Sequence, residues 1–217
     1  MKPSIALKIL IIVYLVGLAG FLLPSTASFF SSLTAGTILF SFVFLLFFHK
    51  EWSAAFVLTL LVIAVCGFLI EYIGVQTGRI FGRYDYGQNL GLKLLGIPLL
   101  KGVNWFMLIY ASRAIIQKFI NNTLLLSLLA SLLMLVYDYF LEQFAIHNDL
   151  WSWAVGQPPL HNFIGWFVCS FVIHIIYANA RKQVDNPIAG WLFFIQLLFF
   201  AAIGLVNGWI PYTPQGL

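Results

Sequence analysis

From Phe29 to Phe48 the chain has no charged side chain over a length that can cross a bilayer, and most of the sequence is built from runs of this kind. A helix needs roughly 20 apolar residues to traverse the hydrocarbon, and only a helix or a closed barrel satisfies its backbone there. The runs are helical in length: Ile5 to Leu23, Phe29 to Phe48, Ala54 to Gly74, one within Leu94 to Ile120, Leu124 to Phe144, Phe163 to Ala180 and Ile188 to Ile210. They predict an all-α, polytopic membrane bundle of about seven helices, six to eight at the limits, forming a single transmembrane domain over residues 1–217. With 62% hydrophobic and 8% charged residues in 217, the composition excludes a soluble globular domain and leaves no room for a separate nucleotide- or DNA-binding domain.

Two of these runs are ambiguous. Ile5 to Leu23 follows Lys2 and Lys8 and precedes Ser25-Thr26-Ala27-Ser28, which imitates a secretory signal, but its length and the membrane-length run close behind it favour an uncleaved first helix. The fourth run is interrupted by Lys101, Arg113 and Lys118, so it reads as Leu94 to Ser112 or Val103 to Ile120, with Gly91 to Lys101 as a re-entrant or interfacial segment.

Positive charge orients the bundle. With the N-terminus cytoplasmic, Lys2, Lys8, Lys50, Arg113, Lys118, Arg181 and Lys182 fall inside. The loop Val75 to Gly102 breaks the rule with Arg79, Arg83, Lys93 and Lys101 on the outer side, so either the topology differs or these charges act locally. The same topology puts this loop and the polar stretch His147 to His161 on one membrane face. No basic run is dense enough for nucleic acid.

An ionisable group within a membrane helix is a functional candidate by default, because it must face the bundle interior or find a partner. Glu51 beside Lys50 and Asp185 beside Lys182 read as loop charges. Glu71, Asp85, Asp138 and Glu142 remain, with Asp149 in a loop. Asp138 and Glu142, four apart on one helix, share a face about one turn apart with no basic residue nearby in sequence. Desolvation and mutual repulsion favour a proton on at least one of them. The competing structural reading is neutralisation by Arg79 or Arg83.

Tyr72, Tyr84, Tyr86, Trp105, Tyr137, Tyr139, Trp151, Trp153 and Trp166 crowd around these acids. Some belong to the aromatic belt of any membrane protein, but aromatic faces also stabilise a cation where water is excluded. A carboxylic acid among such faces suits protonation of an alkene and the carbocation that follows. Glu142, His147, Asp149 and His161 are the only metal-like grouping, without the paired-histidine spacing a membrane metal enzyme needs, so no metal is expected. His174 and His49 read as packed and membrane-edge histidines, Cys66 and Cys169 as packing residues, and Asn121-Asn122-Thr123 as a weak glycosylation pattern. No Gly-x-Ser-x-Gly elbow marks a hydrolase.

The segment Glu71-Tyr72-Ile73-Gly74-Val75-Gln76-Thr77-Gly78-Arg79-Ile80-Phe81-Gly82-Arg83-Tyr84-Asp85-Tyr86, with Gly96-Ile97-Pro98-Leu99 and Asn104-Trp105, resembles the central signature of the carotenoid biosynthesis membrane proteins, which include carotenoid hydratases acting on acyclic ends. Asp138 to Trp166, with Trp151-Ser152-Trp153 and Asn162-Phe163-Ile164-Gly165-Trp166, resembles their second block. The likeness covers residues 71–166, and the flanking helices match only in hydropathy. Gln157-Pro158-Pro159-Leu160 departs from it, being less aromatic and less glycine-bearing than the family's approach to Asn162.

The resemblance implies a cofactor-independent hydratase of a prokaryotic cytoplasmic membrane. Its partners would be water, membrane lipid and an acyclic carotenoid such as lycopene, gamma-carotene or a longer bacterioruberin precursor. Asp138 and Glu142 are the expected acid pair, with Glu71 and Asp85 as competitors. Trp151, Trp153, Trp166 and Tyr86 are expected to line the cation, Trp105 to complete the aromatic wall, and Asn162, Tyr84 and Thr77 to orient water. Two rivals stand beside this reading: a polyprenyl transferase, for which clustered magnesium-binding aspartates are missing, and a lipid or isoprenoid carrier, for which no inverted repeat is evident.

Overall fold

The computed structural model describes residues 1–180 and 183–208. Arg181, Lys182 and the expected end of the last span at Ile210 lie outside the described residues. Eight helices follow in order: α1 (Pro3–Leu22), α2 (Pro24–Ser32), α3 (Thr34–Phe47), α4 (Ala54–Thr77), α5 (Leu100–Ile116), α6 (Thr123–His147), α7 (Leu160–Ala180) and α8 (Ala189–Val206). Two short strand pairs interrupt them: β1 (Tyr84–Tyr86) with β4 (Trp151–Trp153), and β2 (Lys93–Leu94) with β3 (Ile97–Pro98).

The helical membrane bundle is as the sequence predicts; the number of spans is lower. Five helices, α1, α4, α6, α7 and α8, are long and apolar enough to cross a membrane, and α2 with α3, bent by 56°, raises the count to six at most. The expected fourth span is α5, with 17 residues and Lys101, Asn104 and Arg113 within it. It falls one residue short of membrane-spanning length and is buried against protein, with every residue from Trp105 to Ile115 buried. The expected run Phe29 to Phe48 breaks at Leu33, the junction of α2 and α3.

Local chemistry explains the boundaries. Ser53 caps α4 by accepting from the Phe56 amide, and Asn122, inside the Asn121-Asn122-Thr123 pattern, caps α6 by accepting from the Leu125 amide. Gly78, at φ 64°, ends α4 in the left-handed conformation that glycine adopts most readily. Gly91 to Lys101, expected as a re-entrant or interfacial segment, is a strand hairpin followed by the start of α5. It holds the β2–β3 hairpin, whose central residues Leu95 and Gly96 both have positive φ, 53° and 84°, as a tight two-residue turn requires.

The pairing of β1 with β4 brings the loops after α4 and α6 to one end of the bundle, in the register Tyr84 opposite Trp153 and Tyr86 opposite Trp151. At the far end Lys50 pairs with Asp185 at 3.0 Å rather than with Glu51. Between the ends, Tyr14, Ser41, Tyr137 and Gln196 form one buried hydrogen-bonded group linking α1, α3, α6 and α8.

Candidate functional site

Two glycines bring α4 and α5 close. A Cβ on Gly67 would run into the Trp105 side chain, and one on Gly102 into the Ala64 carbonyl oxygen. Glu71 lies about one turn beyond Gly67. The approach places it against Lys101, whose Nζ is 2.9 Å from Glu71 Oε1. Trp105 Nε1 donates to that same oxygen at 2.9 Å. The other oxygen, Oε2, accepts from the hydroxyls of Tyr84 and Tyr86, each at 2.6 Å.

Alternation along β1 decides which residues reach this carboxylate: Tyr84 and Tyr86 point inward and Asp85 between them points out. Burial, and next the Glu71 carboxylate, push both phenols well above their ordinary range, so they remain protonated donors. Glu71 is thus held by one ammonium and three neutral donors.

A second carboxyl group of contacts sits beside the first. Asp138 and Glu142 share a face of α6, and the Asn162 side chain from the first turn of α7 bridges them, its Nδ2 donating to Asp138 Oδ2 at 3.0 Å and to Glu142 Oε1 at 3.2 Å. The bend into α7 at Pro158-Pro159, the stretch that departs from the family pattern, sets Asn162 in place through a hydrogen bond from its backbone N–H to the Pro159 carbonyl. Glu142 Oε2 accepts from Trp151 Nε1 at 3.0 Å and Trp153 Nε1 at 2.8 Å, both inward residues of β4. Asp138 is fully buried, and its Oδ1 has no hydrogen-bond partner among the described residues.

The two groups share a small cavity of about 10 Å³ walled by Glu71, Lys101, Glu142, Asn162, Trp151 and Trp166, among others. That is about the space one water requires, roughly 10–15 Å³. The Lys101 ammonium stands 4.8 Å from the Trp151 ring, 5.4 Å from that of Trp166 and 5.7 Å from that of Tyr86. Trp166 in turn stacks on Trp105, with centroids 4.4 Å apart and planes 11° from parallel.

Of the expected site residues, Glu71, Asp138, Glu142, Tyr84, Tyr86, Trp105, Trp151, Trp153, Asn162 and Trp166 converge here. Asp85 and Thr77 do not. Asp85 is exposed on the outer face of β1, and Thr77, also exposed, donates to the Ile73 carbonyl of its own helix. Arg79 and Arg83, the expected neutralising groups, are exposed as well. The buried ammonium is instead Lys101, read from sequence as a topological exception, and it pairs with Glu71 rather than with the α6 acids. Its signal was its place: a lysine within a helix, five per cent exposed, needs a buried acidic partner. Lys93, another of the exceptional charges, donates to the Tyr86 carbonyl at 2.8 Å.

The indoles also act differently from expectation. Trp151, Trp153 and Trp105 use their N–H edges to hold carboxyl oxygens, so only part of each ring is free to face a ligand. The residues weighed as a metal group separate: Glu142 is enclosed, whereas His147, Asp149 and His161 are exposed. Among the described residues no three His, Cys, Asp or Glu side chains are grouped to hold a metal ion.

Comparison with known proteins gives the chain a family. The model of the carotenoid biosynthesis protein family matches residues 29–213. The chain belongs to this family. The match extends beyond the 71–166 signature into the flanking helices, so the carotenoid biosynthesis fold includes α3 and α8, which lie outside the signature. A curated relative, bisanhydrobacterioruberin hydratase of Haloarcula japonica, is 26% identical over 173 residues, covering 71% of this chain. This chain spans 58% of that relative's length. No solved structure matches this member of the carotenoid biosynthesis family.

Proposed function

We propose that the protein is a carotenoid hydratase of a prokaryotic cytoplasmic membrane, adding water across the terminal isolated double bond of an acyclic carotenoid end to give a tertiary alcohol. Family membership and the name of the relative support the substrate class. The observation that carries the chemistry is the pair Asp138 and Glu142, bridged by one amide nitrogen and buried, with Asp138 Oδ1 left without a partner.

Two carboxyls this close and out of water repel one another if both ionise, and the nearest ammonium is already paired with Glu71. One proton therefore resides on the pair, and Asp138 Oδ1 is the oxygen free to deliver it. The alkene π electrons take that proton at the less substituted carbon, leaving positive charge on the tertiary carbon. A water oxygen bonds to that carbon, and the proton lost from it returns to the carboxyl pair. One water is added, the acid is restored and no electrons are exchanged, so the cycle calls for no cofactor. Glu142, fixed by two indoles and Asn162, is the partner that receives or shares the returning proton. The aromatic walls exclude bulk water from the cation and admit about one molecule to it. Glu71, bound to Lys101, Tyr84, Tyr86 and Trp105, supplies fixed negative charge rather than a mobile proton.

The test is expression in a cell accumulating lycopene, with pigments analysed by mass. The expected result is a gain of one water per hydrated end, lost in Asp138→Asn and in Glu142→Gln at unchanged protein abundance. Gain retained in both variants would move the acid to Glu71. No gain with lycopene, gamma-carotene or a longer acyclic carotenoid would refute the hydratase and favour an isoprenoid carrier.

A further inference from the structure

A second, larger cavity of about 340 Å³ lies between α1, α3, α6 and α8, and it lies within the range of small-molecule sites, roughly 300–1,000 Å³. Its inner end is walled by Lys101, Asn104 and Trp151. Lys101 and Trp151 also wall the small cavity at the carboxyls, so these two side chains border both spaces. Its outer end is bordered by Ile12 and Val16 of α1 and by Leu33 at the head of α3, all three exposed on the bundle's flank. There α1 packs against α2 and α8, and α3 against α5 and α8. A hydrogen bond between the Tyr14 and Ser41 hydroxyls, at 2.9 Å, ties α1 to α3. Its exposed border is thus apolar and lies on the flank formed by α1 and α3, while Leu90 and Leu150 from the loops line its other side.

We infer that this cavity is the entry tunnel for the substrate, taking one end of a linear isoprenoid chain from the bilayer between α1 and α3 and leading it to the wall formed by Lys101 and Trp151. The inference rests on the hydratase reading for the identity of the chain, but its geometry stands alone. Tyr14, Tyr137 and Gln196, the polar groups midway along the wall, bond to one another: Gln196 Nε2 donates to Tyr14 Oη at 2.7 Å and Tyr137 Oη to Gln196 Oε1 at 3.2 Å. They leave an apolar chain to slide past aromatic and aliphatic surface. The mouth is apolar, and the rest of a long polyene stays in lipid. Of the two partition residues Lys101 has the flexible stem, and its ammonium rests on the ring faces of Trp151 and Trp166. An end group that reaches this partition meets the Trp151 ring, whose face stabilises a tertiary cation as it does the ammonium.

Gly17 gives a test. It lines the tunnel, and a Cβ there would meet only the Phe199 ring, at 3.4 Å, so a larger side chain grows into the open space. Gly36 on α3 is the control, since it is exposed and a Cβ there meets nothing within 4 Å. The purified chain in lipid nanodiscs is titrated with lycopene, an achiral polyene whose visible circular dichroism appears only when it is held in a chiral site. Wild type and Asp138→Asn are expected to induce the signal alike, although only wild type hydrates. Gly17→Phe is expected to need about tenfold more lycopene or to show no signal, and Gly36→Phe to match wild type. If Gly17→Phe fails to fold, Ile12→Trp at the mouth replaces it. Undiminished signal in a folded tunnel-filling variant, or no signal in wild type, overturns the tunnel. Signal without hydration of any acyclic carotenoid by wild type refutes the hydratase and leaves the tunnel standing.

Discussion

Removing the Lys101 ammonium while keeping its volume, as in Lys101→Met, strands the Glu71 carboxylate. Both side chains are almost wholly buried and 2.9 Å apart. Deleting one partner of a buried ion pair typically costs about 3–5 kcal/mol, because the other charge is left uncompensated. Tyr84, Tyr86 and Trp105 still donate to Glu71, which puts the expected loss at the lower end, about 3 kcal/mol. The reverse change, Glu71→Gln, strands an ammonium that still has three ring faces within 5.7 Å; desolvated contacts of that kind are worth up to about 2 kcal/mol. Its expected loss is smaller, about 1–2 kcal/mol. The double variant carries no unpaired charge and is expected to lose no more than Glu71→Gln alone, a coupling of about 3 kcal/mol. Reversible unfolding of the four proteins in mixed micelles measures the cycle without any substrate. Losses that add within about 0.5 kcal/mol would show that the pair does not couple in the folded bundle and would refute the reasoning.

Asn162→Leu removes the donor that bridges the two carboxyls, and hydration is expected to fall about 10²–10⁴-fold, the range of a lost acid–base function, while lycopene still induces its dichroism. Asp85→Asn and Thr77→Ala, both outside the cluster, are expected to change stability by less than about 0.5 kcal/mol and to leave hydration unaltered in the pigment assay. The raised phenol ionisations of Tyr84 and Tyr86 favour the folded state below the unfolded value of about 10. Stability is therefore expected to stay level from neutral pH to about 9 and to decline above 10 in an alkaline unfolding series, with the decline reduced in Tyr84→Phe.

Much of the fold was legible because hydrocarbon imposes one rule on every run. Uninterrupted apolar stretches gave α4, α6, α7 and α8 closely, since a membrane helix satisfies its own backbone whatever its neighbours are. The rule failed where burial is against protein rather than lipid. The charges on α5 blurred its ends, although Lys101 is neutralised by Glu71 and the helix is enclosed by its neighbours. The break at Leu33 was likewise invisible, since the uncharged residues from Phe29 onward run straight into α3 and nothing in them marks the change of direction. The β1–β4 pairing was not read either, although Tyr84-x-Tyr86 and Trp151-x-Trp153 carry the inward-outward alternation that a paired strand requires.

That missed alternation separates the parts of the site that sequence could locate from those it could not. Spacing alone joined Asp138 to Glu142, because a helix fixes its own face. It left Asp85 equal in rank to Glu71, because nothing local says that one strand residue points to lipid or solvent while its neighbours reach a carboxylate on another helix. Once the strands are paired, the aromatic residues divide by function. The indole edges of Trp105, Trp151 and Trp153 orient acids, and the faces of Trp151, Trp166 and Tyr86 hold positive charge. In the hydratase reading, the ring faces that already hold an ammonium are the place for the charge, and the buried α6 carboxyl pair is the source of the proton.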